Sequence, residues 1–247
     1  MLISLTGCAT VYNPATGRKE MILISSAEEV QIGRSLSQEI IKKEVPPLQD
    51  AAKQRYVQQV GQRIVAANDR KDIIYQFMVL DSPDLNAFAL PGGYVYIYRG
   101  LLEKTDEDEL AAILAHEVGH IAAKHSVKQL QGALGYNVLV GVALVGLGAK
   151  NPALAQNISG LSNTVYSLLS RGYSREDEFF ADKLAVKYTS AAGYDPHGMV
   201  RVLELLNKES GPSGRVFEVL STHPRMVERI ERTKKEIAAL ATSADVV

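Results

Sequence analysis

The sequence predicts an α+β fold, mainly helical, in which a small antiparallel sheet leads into one helix that carries the chemistry. Three observations predict it. Helical periodicity recurs over residues 26–43, 50–67, 106–125, 174–188, 197–207 and from 222 to about 240. Strand-like alternation is confined to residues 74–98. The pattern His116-Glu117-Val118-Gly119-His120 falls in the middle of the longest apolar helix. Composition sets the outer bounds. With 247 residues, 46% hydrophobic and 22% charged, the chain can bury a core as a single domain over 25–247. Its 27 basic and 28 acidic residues give a net charge of -1, which excludes a strongly basic nucleic-acid-binding surface. Cys8 is the sole cysteine, so neither an intrachain disulfide nor a cysteine-based metal site is available.

Taken in order, residues 1–24 read as a truncated export signal and an extended tether, with Asn13, Pro14 and Gly17 opposing regular structure. Leu5-Thr6-Gly7-Cys8 resembles a bacterial lipoprotein cleavage box, which implies cleavage before Cys8 and lipidation of its thiol. Only seven residues precede Cys8 and none is basic, so an upstream part of the signal is expected to be missing. Ser26-Ala27-Glu28-Glu29 reads as a capping box opening a helix that Pro46-Pro47 stops by about Lys43. A second helix fits 50–67, with Tyr56, Val57, Val60, Ile64 and Val65 on one side.

The period then changes to two. Residues 74–80 read as a strand, 81–84 as a turn, and 86–90 and 94–98 as further strands around Pro91-Gly92-Gly93. Alternation puts Tyr94, Tyr96 and Tyr98 on one face and Val95 and Ile97 on the other. In a peptide-cleaving protein, the strand at Asn86, Ala87, Phe88 and Ala89 is where an extended substrate would add itself to the sheet. An edge strand that merely packs fits the same pattern.

From Asp106 the chain runs helically without proline, with acidic residues in its first turn. Residues four apart stack on one helix face, so His116 and His120 can share one metal ion. Glu117 lies about 100° around, within reach of a metal-bound water. Ile113, Leu114 and Val118 bury this helix, where two unpaired imidazoles would be costly. His125 lies nine residues from His116, about 180° around a continuous helix, and is not expected to be a ligand. His197 reads as solvated at a helix start.

Residues 134–148 form an apolar stretch of 15 with four glycines, too short for the roughly 20 residues of a membrane span. They belong to an apolar helical insertion over about 130–170, either a packed hairpin or a mobile cover. Ser174 caps the next helix, which opens with Glu176, Asp177 and Glu178; the residues alone do not separate these three. Thr222-His223-Pro224 opens the last helix. The proline holds His223 in extended backbone, so its ring is presented from a loop, either to the metal site or as a helix cap.

These pieces resemble the HtpX and CAAX-prenyl-protease family of zinc metallopeptidases. The resemblance rests on Asn86 to Gly93, His116 to His120, Glu178-Phe179-Phe180-Ala181-Asp182, and Thr222-His223-Pro224 with Arg229-Ile230. The lipoprotein-like start is similar to the family's periplasmic lipoprotein branch rather than its polytopic members. The resemblance implies a zincin-like core with Glu178 as third zinc ligand and Asp182 orienting a ligand histidine. Two histidines and one glutamate would leave the fourth position of a single Zn2+ to water. Glu117 is then the general base, with His223 assigned beside it. The implied activity is endopeptidase hydrolysis of protein substrates in envelope quality control, on the periplasmic side, lipid-anchored through Cys8. A zinc-bearing chaperone or scaffold with an occluded site is the alternative.

Overall fold

The structure is a computed structural model that describes residues 10–43, 45–134, 172–209 and 226–244. Cys8, most of the 134–148 stretch and His223 fall outside the described residues. In chain order the elements are β1 (Thr10–Asn13), β2 (Arg18–Met21), α1 (Ser26–Lys43), α2 (Ala51–Ala67), β3 (Gln76–Leu80), β4 (Ala87–Leu90) and β5 (Tyr94–Tyr98). They continue with α3 (Arg99–Leu102), α4 (Glu107–Ala122), α5 (His125–Leu134), α6 (Arg175–Ala191), α7 (Gly198–Glu209) and α8 (Met226–Ala244). The fold is α+β and mainly helical, as the periodicity predicts.

The three-stranded sheet has the order β3-β5-β4. It is mixed rather than antiparallel throughout: β5 runs antiparallel to β4 but parallel to β3. The reason lies in the two connections. The turn after β3 carries the chain out to the edge strand β4. Gly92 and Gly93, with φ of 78° and 100°, then reverse it, and β5 slots between β3 and β4.

The sheet buries both faces. Phe77, Val79, Ala87, Ala89, Val95 and Ile97 join a core with α2 and α4. Leu90, Tyr96 and Tyr98 face Ile32, Leu36 and Ile40 of α1, with Phe88 stacked on Tyr96. Tyr96 donates its hydroxyl to Ser37 at 2.6 Å, so its polar tip is satisfied inside that second core. α4 lies at the centre, buried from Leu110 to Ala122 all the way round. It starts on a full capping box, Asp106 with Glu109.

Residues 10–21, expected to be part of a tether, form a β-hairpin. Asn13 closes its turn, accepting the Ala15 amide on its side chain and the Gly17 amide on its carbonyl. An ion pair from Lys128 to Glu20 and a bond from the Leu23 amide to Gln131 fasten the segment to α5. The cap of α1 also sits one residue earlier than the sequence suggests: Ser25 and Glu28 bond reciprocally. Among the described residues, no helix is long and apolar enough to cross a membrane.

Candidate metal centre

Two helices build the site, and one glycine lets them meet. A Cβ at Gly119 would stand 3.2 Å from the Leu184 Cβ and 3.3 Å from the Ala181 carbonyl oxygen. Glycine therefore allows α6 to lie close against α4, which brings the first turn of α6 over the two histidines. His116, His120 and Glu178 converge, all buried. The two Nε2 atoms are 3.0 Å apart, and oxygens of Glu178 lie 3.6 Å from His116 Nε2 and 3.4 Å from His120 Nε2. A tetrahedral ion with bonds of about 2.1 Å needs donor atoms about 3.4 Å apart, so the triangle is of a size that could hold a metal ion. Of the three acidic residues that open α6, Glu178 is the one inside it; Glu176 is exposed and Asp177 sits at the margin.

Charge gives the same answer. Glu117, Glu178 and Asp182 are 1–3% exposed, and the one guanidinium among them is Arg229, 2% exposed. Burial lowers the pKa of both His116 and His120, keeping the imidazoles neutral as ligands must be. Among the described residues, three carboxyl groups face one guanidinium in this buried site, surroundings that favour a cation.

Around the triangle, Asp182 Oδ1 lies 2.9 Å from His116 Nδ1. Arg229 grips Asp182 with two bonds of 2.8 and 2.7 Å and reaches Glu178 Oε2 at 2.8 Å. Burial would raise the pKa of Asp182, but Arg229 and His116 hold it below the usual carboxylate range. Tyr173 stacks on the His120 ring, 4.0 Å between centroids and 20° between planes. Glu117 and His116 share a pocket with Arg229, walled by Ala87, Leu101, Ile113, Met199, Val202, Leu203 and Leu206. Of the strand expected to receive substrate, Ala87 lines this pocket, Ala89 faces the same core, Phe88 turns to the α1 side, and Asn86 precedes β4. β4 forms one edge of the sheet.

Two residues near the site carry more weight than the sequence suggested. Arg229 sits in the buried stripe of α8 formed by Met226, Arg229, Ile230, Thr233 and Ile237. A charged residue in an apolar stripe is a readable signal that a buried counter-charge awaits it. His125 is the other. The helix does not continue to it: α4 ends at Ala122, Lys124 takes φ of 57°, and α5 begins at His125. The ring is thereby turned back toward His120, with the two Nδ1 atoms 2.9 Å apart. His197 pairs with Asp195 at the surface, away from the triangle.

Residues 51–237 match the model of peptidase family M48. The chain is 32% identical to the mitochondrial metalloendopeptidase OMA1 of Schizosaccharomyces pombe, over 73% of this chain and 52% of that protein. It is 25% identical to the beta-barrel assembly-enhancing protease of Escherichia coli, over 88% of this chain and 45% of that one. With the metalloprotease LoiP of Escherichia coli the identity is 31%, over 66% and 63%. The chain thus spans about half the length of the first two relatives.

Proposed function

This chain belongs to peptidase family M48, a metallopeptidase family, and from that premise we propose that it is a zinc-dependent endopeptidase acting on protein substrates at the bacterial cell envelope. The observation that supports this most is the buried triangle of two imidazoles and Glu178, with Glu117 beside it. His116, His120 and Glu178 would hold one zinc ion. When bound, it supplies Lewis-acid chemistry, acidifying a water and polarising the scissile carbonyl.

The protein's own residues do the rest. Glu117 takes a proton from the attacking water and delivers it to the leaving amine as the C–N bond breaks. Asp182, with Oδ1 2.9 Å from His116 Nδ1, would orient that ring and leave Nε2 facing the ligand triangle. Arg229 spans Glu178 and Asp182 and offsets one of their charges. An extended substrate adds to the outer edge of β4 along Asn86, Ala87, Phe88 and Ala89. The pocket beside Glu117 takes an apolar side chain flanking the scissile bond. We place His223 at the same site. Its replacement by alanine lowers turnover about 100-fold if it stabilises the oxyanion, and raises it if it blocks the open ligand position. Unchanged turnover in a folded, zinc-loaded His223→Ala removes it from the site.

Lipidation of Cys8 anchors the protein to the membrane in this reading. Expressed with a complete signal peptide, Cys8→Ser leaves the membrane fraction; continued association assigns the anchor elsewhere. The activity itself is tested with casein. Wild type cleaves it, chelator stops cleavage, and added zinc restores it. Absence of cleavage together with chelator-resistant suppression of aggregation would replace the peptidase by a zinc-bearing chaperone.

A further inference from the structure

His125 is buried, 4% exposed, and has no part in the ligand triangle. Its placement is costly. Lys124 must adopt a left-handed backbone, φ 57°, which is strained for a residue with a Cβ. The Lys124 ammonium is held at 3.1 Å from Glu29, which lies on α1. The result of that strained turn is a second hydrogen-bonding contact at the metal centre, on the far nitrogen of His120.

The two ligand histidines pose the same chemical problem. With Nε2 of each turned inward, 3.0 Å from the other, neither Nε2 can carry a proton and still bind a cation. The ring proton of each must sit on Nδ1, and a buried N–H needs an acceptor. His116 has Asp182 at 2.9 Å. His120 has His125 Nδ1 at 2.9 Å. To accept there, His125 must be neutral with its own proton on Nε2, and that atom lies 3.3 Å from Asp177 Oδ1. The contacts line up in series: His120 Nδ1 faces His125 Nδ1, and His125 Nε2 faces the Asp177 carboxylate.

We propose that His125 is a positioning residue: it accepts the Nδ1 proton of His120, fixes that ligand's tautomer and ring angle, and is itself oriented by Asp177. The inference rests on the metal-centre reading above and extends it to a residue outside the ligand set. It also makes the two histidines unequal. His116 is backed by a carboxylate, which strengthens it as a donor, whereas His120 is backed by a neutral imidazole.

The test compares two substitutions. Asparagine places its side-chain oxygen near the position of the histidine Nδ1 and can still accept; leucine fills the space and cannot. Zinc affinity, measured by competition with a chelator, is expected to fall 10- to 100-fold in His125→Leu and to stay within about threefold of wild type in His125→Asn. The visible spectrum of the cobalt-substituted protein shifts in the leucine variant alone. Equal affinity in all three proteins overturns the role of His125, and equal loss in both variants does so as well, since packing rather than the acceptor would then matter. A wild-type protein that holds no zinc overturns the metal centre itself, a result distinct from either. If His125→Leu does not fold, ring nitrogen NMR of zinc-loaded wild type decides directly. The proposal requires the His125 proton on Nε2, and a proton on Nδ1 refutes it.

Discussion

α4 carries two buried ionic clusters, one at its C-terminal end and one on the histidine turns just before it, and the two are built on opposite principles. At its C-terminal end, Glu29 of α1 accepts two bonds from Arg70, one from the Gly92 amide and one from Lys124, at 2.7–3.1 Å. Arg70 also caps the helix by donating to the Ile121 carbonyl and pairs with half-exposed Asp72. Two cations meet two carboxylates, and every oxygen of Glu29 is used. At the histidine turns, three buried carboxylates meet one guanidinium. Burial raises the cost of any uncompensated charge, and among the described residues the first cluster balances while the second carries more carboxyl groups than cations. A closed ionic cluster fastens α1, the Gly92 turn and α4 together. One richer in carboxyl groups than in cations, with two imidazoles beside it, suits a cation.

Four results would break or sharpen this contrast, in descending size. Glu117→Gln should keep the fold and the metal while turnover falls about 10²–10⁴-fold, because the amide cannot accept the water's proton. Zinc-loaded Glu117→Gln protein cleaving casein at the wild-type rate would remove it from the chemistry. Arg70→Met opens the closed cluster and leaves Glu29 with Lys124 and the Gly92 amide. It should cost about 3–5 kcal/mol in denaturant unfolding while the folded protein still binds one zinc.

The third concerns pH. Burial depresses His116, His120 and His125, so the metal-free native state takes up none of their protons as pH falls through about 6.5, while the unfolded chain takes up to three. Stability is therefore present above that pH and lost below it, by up to about 4 kcal/mol per pH unit. The closed cluster behaves differently. Arg70 and Lys124, with the Gly92 amide, hold Glu29 below its ordinary value of 4.5 against a burial effect that would raise it, so its contribution is lost only in stronger acid. A thermal melt of chelated protein that does not weaken between pH 7 and pH 5 would contradict the assignment of neutral buried imidazoles. Smallest is Asp182→Asn, expected to weaken zinc affinity 10- to 100-fold, since the neutral amide is a poorer acceptor for His116 and a poorer partner for Arg229.

Much of the histidine cluster could be read in the sequence because its parts are local. His116 and His120 are one turn apart, and Glu178 is one turn from Asp182 on another helix, so each pair needs only helical periodicity. Choosing Glu178 over Glu176 and Asp177 required the family resemblance, because exposure of the α6 start is a tertiary property. His125 was out of reach for a physical reason. No glycine or proline marks the break at Lys124, and what holds the strained turn is an ion pair to Glu29, 95 residues away. The sheet failed in the same way: alternation sorted the two faces of β5 correctly but carried no information about which strand sits in the middle. The hairpin at 10–21 was hidden because its anchors, Lys128 and Gln131, are more than a hundred residues downstream.

The central claim is that the excess of carboxyl groups over cations among the described residues of the histidine cluster is offset by a bound metal. The direct measurement is the unfolding free energy of Glu178→Gln with and without zinc, set beside wild type. Removing Glu178 lessens the excess of carboxyl groups and leaves Arg229 its two bonds to Asp182. Metal-free Glu178→Gln should therefore be at least as stable as metal-free wild type, and zinc, which stabilises wild type, should do little for the variant. A metal-free variant destabilised by several kcal/mol, with zinc binding intact, would mean that Glu178 belongs to a closed structural cluster like that of Glu29, and the account would fall.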